Sequence, residues 1–268
     1  MRPYSFQNSP FRPRERAFSV VYLLSLSVVL ILAGLVIGTG LIVLLPFGRR
    51  GRLAFANWSM RLFAGFCLRS CGHRWRFHRS PLPVHPAIFV ANHSSTVDTF
   101  LVPRLFPAQT SVIAKKEIIW FPVIGQLVWL ASFLLIDRQN SQRSATSLKR
   151  LSERIHEDGI SLWLLPEGTR SREGQLARFK TGFVHLAVAT GLPVVPIVFH
   201  DSYRLWPAGT LRCRPGEVVV EVLEAIDTSA WSANDARELA EAVRERIRQR
   251  LEAGPAEEGA SAEGCPTA

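Results

Sequence analysis

A histidine and an aspartate lie close together in the segment NHSSTVD, residues 92–98, and their types suit acid–base chemistry. The segment follows a short apolar run, AIFVA at 87–91, that is typical of a buried strand. An aspartate at this spacing can hold one imidazole nitrogen and leave the other free to take a proton. His93 and Asp98 could therefore activate a hydroxyl of the protein or of a substrate. The spacing alone is equally compatible with two residues that share no task.

A second polar turn, PEGTR at 166–170, follows the apolar run ISLWLL. Gly168 permits a tight turn, and Arg170 presents a fixed fork of donors that suits a phosphate. Glu167 and Thr169 complete the turn. A further set of polar and basic residues extends it: Ser171, Arg172, Arg178 and Lys180. The pattern predicts an anion-binding turn, although a salt-bridged surface turn could have the same composition.

Two further basic sites follow apolar runs. Lys115 and Lys116 come after the apolar run at 111–114, and Arg138 follows Ile136 and Asp137. Lone lysines are usually solvated, so these residues indicate a binding site only in combination with the two motifs above.

The cysteines do not predict a metal site. Cys67 and Cys71 are four residues apart with His73 and His78 nearby, but this spacing matches no zinc ribbon or finger, and the chain has no second closely spaced pair. Cys213 and Cys265 have no evident partners along the chain, and no metal or other cofactor is expected.

Short apolar runs alternate with helical patterns between residues 81 and 251, which predicts one α/β domain with a mainly parallel sheet flanked by helices. Strands are expected at 87–91, 111–114, 160–165, 193–200 and 217–226, and helices at 146–156, 183–190 and 234–251. Ser232 is a candidate N-cap of the last helix. Residues 252–268 are small, polar and acidic, and are expected to form a disordered tail.

The positive charge of the chain is concentrated at its N-terminus. The 268 residues carry a formal charge of +10, and residues 1–80 alone hold 12 arginines, no lysine and one acid. Residues 17–48 contain no charged side chain and would form a helix about 48 Å long, against about 30 Å for a hydrocarbon core. This length allows a tilted span, or a break at Gly38 and Gly40 with a return.

Residues 53–70 predict a second helix, with aromatic and arginine side chains at headgroup depth or, alternatively, in a soluble core. The region 1–80 is therefore expected to anchor the chain in a membrane with anionic lipids. A nucleic-acid partner is not expected, because the arginines adjoin the apolar run and no recognition motif is present.

Together the motifs resemble those of the glycerolipid acyltransferases. NHSSTVD resembles their NHx4D motif, and PEGTR resembles their phosphate-binding motif. The block AKKEIIWFPVIGQLVWLASFLLIDR at 114–138 is similar to one in bacterial 1-acyl-sn-glycerol-3-phosphate acyltransferases, and VPI at 195–197 matches a fourth motif. The resemblance covers residues 86–200 in the family order. Ser132 and Leu165 depart from it, since many members have Gly and Phe there, which affects the expected shape of the acceptor pocket.

The resemblance implies a membrane-bound enzyme that moves an acyl group from acyl-CoA or acyl carrier protein to 1-acyl-sn-glycerol-3-phosphate. His93 would be the general base and Asp98 its orienting partner, without an acyl-enzyme. Arg170, with Lys115 or Lys116, would hold the acceptor phosphate. Arg138 belongs to the same substrate-binding set, and Glu167, Gly168 and Thr169 would shape the turn. The expected location is a bacterial inner membrane, with the catalytic domain facing the cytoplasm.

Other functions remain open on the sequence alone. The same chemistry could act on a lyso-ornithine lipid or a lysophospholipid, and a phosphate-free acceptor would have less need of Arg170. A serine hydrolase could use Ser94 or Ser95 with His93, although adjacent side chains make poor nucleophile–base pairs and no nucleophile elbow is present. A non-catalytic, membrane-tethered lipid-binding module would not require the intact His93 and Asp98.

Overall fold

The computed structural model describes residues 28–29, 31–78, 86–120, 124–136, 141–171, 174–210 and 212–255. Its helices are α1 (Ile31–Val43), α2 (Gly48–Ser70), α3 (Asp98–Arg104), α4 (Ile124–Leu130), α5 (Ser141–Asp158), α6 (Gly182–Thr190), α7 (Ser202–Leu205) and α8 (Ala236–Ala253). Its strands are β1 (His73–His78), β2 (Ile88–Ala91), β3 (Thr110–Lys115), β4 (Leu134–Ile136), β5 (Ser161–Leu164), β6 (Val194–His200) and β7 (Gly216–Val222). Short 3-10 helices occupy Leu45–Phe47, Lys116–Trp120 and Ala233–Asp235.

The strands form one sheet in the order β1-β7-β6-β2-β5-β3-β4. The five strands from β6 to β4 are mutually parallel, whereas β7 runs antiparallel to β6 and carries β1 beside it in parallel. The carboxyl ends of the parallel strands therefore meet at one edge, which is where ligands bind in open α/β sheets. The predicted α/β class with a mainly parallel sheet is confirmed.

Side chains of the central strand β2 alternate between two buried clusters. Ile88 and Val90 pack among residues of α5, α6 and α8 on one face of the sheet. Phe89 and Ala91 pack on the other face with α3 and the end of α2. Both faces of β2 are thus covered, as expected for a strand with a continuous apolar sequence.

The five predicted strands are present, and the sheet contains two more. β1 has the sequence HRWRFH, whose charged and polar residues give no strand signal, and it forms an edge of the sheet. β4 is only three residues long. β1 pairs with β7 along its whole length. The α/β domain therefore begins before residue 81, its predicted first residue.

The three predicted helices are present, with ends that differ by up to five residues from the predicted bounds. Gly159 and Gly191 follow α5 and α6 with φ of 64°, a left-handed conformation that glycine adopts without steric cost. The Ser232 hydroxyl accepts a hydrogen bond from the Asn234 N–H, and the Asp235 carboxylate accepts one from the Ser232 N–H, which completes a capping box. Ser232 thus caps the 3-10 helix Ala233–Asp235 that leads into α8, and not α8 itself as predicted.

The N-terminal region is helical but bent. Among the described residues, no single helix has both the length and the apolar character needed to cross a bilayer. The pair Ile31–Val43 and Leu45–Ser70 meets these criteria jointly, with a bend of 59° between its parts. The expected membrane-embedded segment is therefore not confirmed, and its residues 17–27 lie outside the described chain. The break falls at Leu45–Phe47 and not at Gly38 or Gly40, because Pro46 cannot continue the hydrogen bonding of α1.

The helix α2 has one buried and one exposed apolar side. Asn57 is buried and donates a hydrogen bond from its amide to the Thr110 carbonyl oxygen at 2.8 Å, which joins α2 to β3. Trp58, Leu62 and Phe66, spaced by four residues, are 49%, 55% and 56% exposed. The helix thus belongs to the folded domain on one side and presents an apolar stripe on the other.

Part of the N-terminal positive charge is compensated within the domain. Arg49 and Arg50 lie 3.5 Å and 3.6 Å from the carboxylate of Asp158, and Arg49 also contacts Glu157 at 3.5 Å. These arginines hold the start of α2 to the end of α5. Less of the formal charge is consequently available for an anionic surface than the sequence count suggests.

Candidate active site

Asp98 organises the turn that follows β2. It is the first residue of α3, is fully buried, and accepts three hydrogen bonds on Oδ2: from the Ser94 N–H at 2.9 Å, the Ser95 N–H at 2.8 Å and His93 Nδ1 at 3.1 Å. The turn 93–98 therefore wraps around this one oxygen. Among the described residues, Oδ1 of Asp98 has no hydrogen-bond partner.

The bond to Asp98 fixes the orientation of the His93 ring. With Nδ1 donating to a carboxylate, the neutral imidazole carries its lone pair on Nε2. Nε2 makes no hydrogen bond to any residue that the structure describes, and the His93 side chain is 15% exposed. The ring can therefore take a proton at Nε2 from a group that enters the cleft.

Glu167 of the PEGTR turn is hydrogen-bonded to the NHSSTVD turn. Its Oε1 accepts the His93 backbone N–H at 2.6 Å, and its Oε2 accepts the Ala177 N–H at 3.0 Å. Burial raises the pKa of Glu167, and the two backbone N–H groups oppose that shift. Both oxygens are thus occupied by backbone donors, so Glu167 positions the His93 turn. Its membership of the substrate-binding set stays a prediction.

Arg170 reaches back to the histidine motif. Its Nη1 donates to the Thr96 hydroxyl at 2.9 Å, and the adjacent Ser171 N–H donates to the His93 carbonyl at 3.0 Å. Arg170 is exposed and forms no ion pair with a described residue. Its remaining donors are consequently directed at solvent beside His93, in a position suited to an anionic group.

The rest of the PEGTR turn is exposed. Gly168 has φ of 75°, a left-handed conformation that favours glycine over residues with a side chain. Thr169 is exposed beside it. The structure thus places Gly168 and Thr169 in the predicted turn next to Arg170.

The other predicted cations lie at the same sheet edge. Lys115 ends β3 and Lys116 begins the following 3-10 helix, so their backbones stand at the carboxyl edge, two strands from β2. Their side chains and all of Arg138 lie outside what the structure describes. Their expected contact with a phosphate remains a prediction.

Ser132, where many members of the family have glycine, ends the α4 segment with φ of 60°. A left-handed backbone conformation explains why glycine is favoured there.

The two serines of the turn are structural. Ser95 Oγ donates to the Trp206 carbonyl at 2.8 Å, and Ser94 Oγ contacts Ser202 Oγ at 3.4 Å. Neither hydroxyl is hydrogen-bonded to His93 among the described contacts, which argues against a serine nucleophile.

Two positioning residues were not predicted. Asn92 pairs with the backbone of Phe199: its Nδ2 donates to the carbonyl at 3.1 Å, and its Oδ1 accepts the N–H at 2.8 Å. This extends the attachment of β2 to β6 by one residue beyond the strand. Thr96 holds Arg170. Both residues belong to the NHSSTVD segment, but only the tertiary contacts reveal what they do.

Comparison with known proteins identifies the family. A family model described as "Acyltransferase" matches residues 74–200, which contain both motifs. A 1-acyl-sn-glycerol-3-phosphate acyltransferase of Limnanthes douglasii is 38% identical over 197 residues, covering 74% of this chain and 70% of that protein. One of Haemophilus influenzae is 30% identical over 196 residues, covering 73% of this chain and 80% of that protein. This chain belongs to the acyltransferase family. The resemblance drawn from the motifs is confirmed, and the expected enzyme class agrees with the names of these relatives.

The fold of this acyltransferase-family chain is also found in a solved structure. The 1-acyl-sn-glycerophosphate acyltransferase of Thermotoga maritima superimposes with a TM-score of 0.70 at 23% identity, covering 90% of this chain and 95% of that one. At this identity the similarity shows the fold alone. Two plant relatives are matched over only 53% and 47% of their own length.

Proposed function

We propose that the chain transfers a fatty acyl group from a thioester to the free hydroxyl of 1-acyl-sn-glycerol-3-phosphate, giving phosphatidic acid. The observation that carries the proposal is the hydrogen bond from Arg170 to Thr96, a residue of the same turn as His93 and Asp98. Among the described residues, Arg170 has no ion-pair partner. An acceptor with a hydroxyl and a phosphate near each other can engage both groups at once. The names of the relatives support the same acceptor.

The reaction is a single displacement. His93 Nε2 takes the proton of the acceptor hydroxyl as its oxygen attacks the thioester carbonyl carbon. The carbon–sulfur bond then breaks, and the leaving thiolate takes the proton from the imidazolium. Asp98 stabilises that imidazolium through Nδ1. Proton transfer of this kind contributes typically 10²–10⁴-fold to the rate. The thiol carrier is coenzyme A or acyl carrier protein.

The reaction takes place at a membrane surface. Both acyl chains are apolar, and the stripe Trp58, Leu62 and Phe66 on α2 is exposed, as are several apolar residues of α1. Inserting such a surface among lipid headgroups buries apolar area and brings the cleft to the acceptor. The corresponding location is a bacterial inner membrane with the domain facing the cytoplasm.

The activity is tested with purified full-length protein in mixed micelles. 1-Acyl-sn-glycerol-3-phosphate is compared with a lysophospholipid and with lyso-ornithine lipid, each with acyl-CoA and with acyl carrier protein as donor. We expect turnover to be fastest with the phosphate monoester. Faster turnover of the ornithine lipid would contradict the proposed acceptor, and binding of all acceptors without turnover would indicate a lipid-binding module.

Variants test the assigned roles. His93→Ala should abolish turnover, whereas His156→Ala, at an exposed position late in α5, should leave it unchanged. Arg170→Ala should raise KM mainly for the phosphate-bearing acceptor, with Arg237→Ala on the exposed side of α8 as control. Unaltered turnover in His93→Ala would refute the base assignment, and an equal effect of Arg170→Ala on a phosphate-free acceptor would refute the phosphate role.

The apolar stripe is tested by placing a charge in it. Leu62→Glu should weaken sedimentation with anionic vesicles and lower turnover of a vesicle-embedded acceptor, because an exposed apolar contact with lipid is replaced by a charged one. Turnover of a water-soluble short-chain acceptor should be unchanged. Unaltered vesicle binding would exclude this face of α2 from the membrane contact.

A further inference from the structure

Two cysteines and a histidine meet at the β1 side of the sheet, away from the His93 turn. Sγ of Cys213 lies 3.2 Å from Sγ of Cys71 and 3.7 Å from Nε2 of His73. All three side chains are buried, and their ligand atoms lie within 4.8 Å of one another. Along the chain Cys213 is 142 residues from Cys71, so the sequence showed no partner for it.

The backbone around these side chains is held from several directions. Cys71 caps the C-terminus of α2, and His73 is the first residue of β1, opposite Gly216 of β7. The Gly216 N–H donates to the Gly72 carbonyl at 3.2 Å, and the Arg214 N–H donates to the carbonyl of Leu205 at 2.8 Å. His73 is thus held by the sheet, and Cys71 and Cys213 lie in short connections whose neighbouring residues are hydrogen-bonded to the folded domain.

We propose that Cys71, His73 and Cys213 bind a thiophilic divalent metal ion, of which Zn²⁺ is the natural example. Thiolate sulfur and imidazole nitrogen are the ligands that Zn²⁺ prefers in proteins. A tetrahedral zinc with Zn–S of about 2.3 Å and Zn–N of about 2.0 Å separates two sulfurs by about 3.8 Å and a sulfur from a nitrogen by about 3.5 Å. The observed sulfur–nitrogen distance of 3.7 Å is close to this separation, whereas the sulfur–sulfur distance of 3.2 Å is shorter, so the two sulfurs move apart by about half an ångström when the metal binds.

The charge balance of the buried site favours a divalent ion. Binding releases one proton from each of the two thiols, and the two thiolates neutralise the two charges of the metal. A monovalent ion in the same site would leave a net negative charge in a buried place, which is unfavourable. His73 Nε2 now lies 3.0 Å from the Arg214 carbonyl oxygen, so the ring proton moves to Nδ1 when the metal takes this position.

A disulfide between Cys71 and Cys213 is the competing chemistry. It would use both sulfurs and leave His73 on the Arg214 carbonyl, whereas a metal site uses all three side chains. The bound ion would join the end of α2 to the edge pair of β1 and β7. Its role is structural, because none of the three ligands belongs to the NHSSTVD or PEGTR turn.

The test uses the full-length chain purified in detergent under a non-thiol reductant and titrated with Co²⁺, which absorbs visibly when bound by thiolates. We expect one Co²⁺ per chain, sulfur-to-cobalt charge-transfer absorption, and loss of that absorption on adding Zn²⁺. Bound Zn²⁺ should raise the thermal unfolding temperature. Because these readouts do not involve acyl transfer, their failure would leave the proposed activity untouched.

Variants assign the ligands. Cys213→Ser and His73→Ala should each weaken Co²⁺ binding at least tenfold and alter the absorption. The matched control is Cys67→Ser, which removes a buried thiol on α2 that is not among the three ligands. Absence of cobalt absorption in the wild type, an equal loss in Cys67→Ser, or a Cys71–Cys213 disulfide in the protein as isolated would overturn the proposal.

Discussion

Replacing Asp98 by Asn separates the charge of this residue from its geometry. Oδ2 of Asp98 faces three donors, so the side-chain oxygen of asparagine should occupy that place and keep both the turn and the ring tautomer. The amide NH₂ then takes the place of Oδ1, which has no partner among the described residues. The expected change is therefore the loss of one negative charge 3.1 Å from His93 Nδ1.

The magnitude follows from that distance. At an effective dielectric constant of about 20, the charge stabilises an imidazolium at 3.1 Å by about 5 kcal/mol. The asparagine oxygen retains a neutral hydrogen bond of about 1 kcal/mol, which leaves a loss of about 4 kcal/mol. At 1.36 kcal/mol per tenfold, kcat should fall by about 10³-fold. KM should change little, because Asp98 is buried behind the ring and does not touch the acceptor.

The assay is steady-state acyl transfer to 1-acyl-sn-glycerol-3-phosphate in mixed micelles at a fixed lipid mole fraction. The control is Asp227→Asn, since Asp227 also accepts a backbone N–H, from Ser229 at 3.0 Å, but is exposed and outside the site. A loss of kcat below tenfold for Asp98→Asn would refute the role of its charge. A comparable loss in the control would show that the assay reports general damage.

Three further outcomes are expected. Thr96→Val removes the hydroxyl to which Arg170 donates its hydrogen bond. The KM for the phosphate-bearing lipid should rise by about fivefold, the effect of a hydrogen bond of about 1 kcal/mol, with kcat unchanged. An unchanged KM would contradict the role of Thr96. In Glu167→Gln the amide NH₂, a donor, faces one of the two backbone N–H donors that the carboxylate now accepts. The unfolding free energy measured in denaturant titrations should fall by about 1–3 kcal/mol. Undiminished stability would disprove the role of Glu167 in positioning the His93 turn. Burial lowers the pKa of His200 in the folded state, and the Glu221 carboxylate partly opposes this shift. The unfolding free energy should therefore decrease as pH falls below 6.5 and level off below the folded-state pKa. His200→Gln should flatten that part of a curve of unfolding free energy against pH, and an identical slope in the variant would contradict the role of His200.

Much of the site follows from local sequence. His93 and Asp98 are close enough along the chain for a single turn to join them, and the apolar run before them is a strand in the structure. The PEGTR turn follows another buried strand, and two parallel neighbours necessarily end at the same edge. The motif resemblance then supplied the family, which the relatives confirm.

Other features have no local signal. β1 is charged and polar because it lies at an edge, so no apolar run marks it. The carboxylate of Glu167 is drawn inward by the backbone N–H groups of His93 and Ala177, the first 74 residues away, and no local pattern reveals these two contacts. The sequence analysis placed a possible helix break at Gly38 and Gly40, but α1 continues through both glycines and ends before Pro46, which cannot donate the next helical hydrogen bond.

By itself the sequence determined the chemistry that is available: a histidine with an aspartate within reach, an arginine on a glycine turn, and an apolar, basic N-terminal region. Tertiary structure alone decided which groups meet. It joins Arg170 to Thr96 and Cys213 to Cys71 and His73, because the order of strands in the sheet, and not distance along the chain, sets which turns become neighbours.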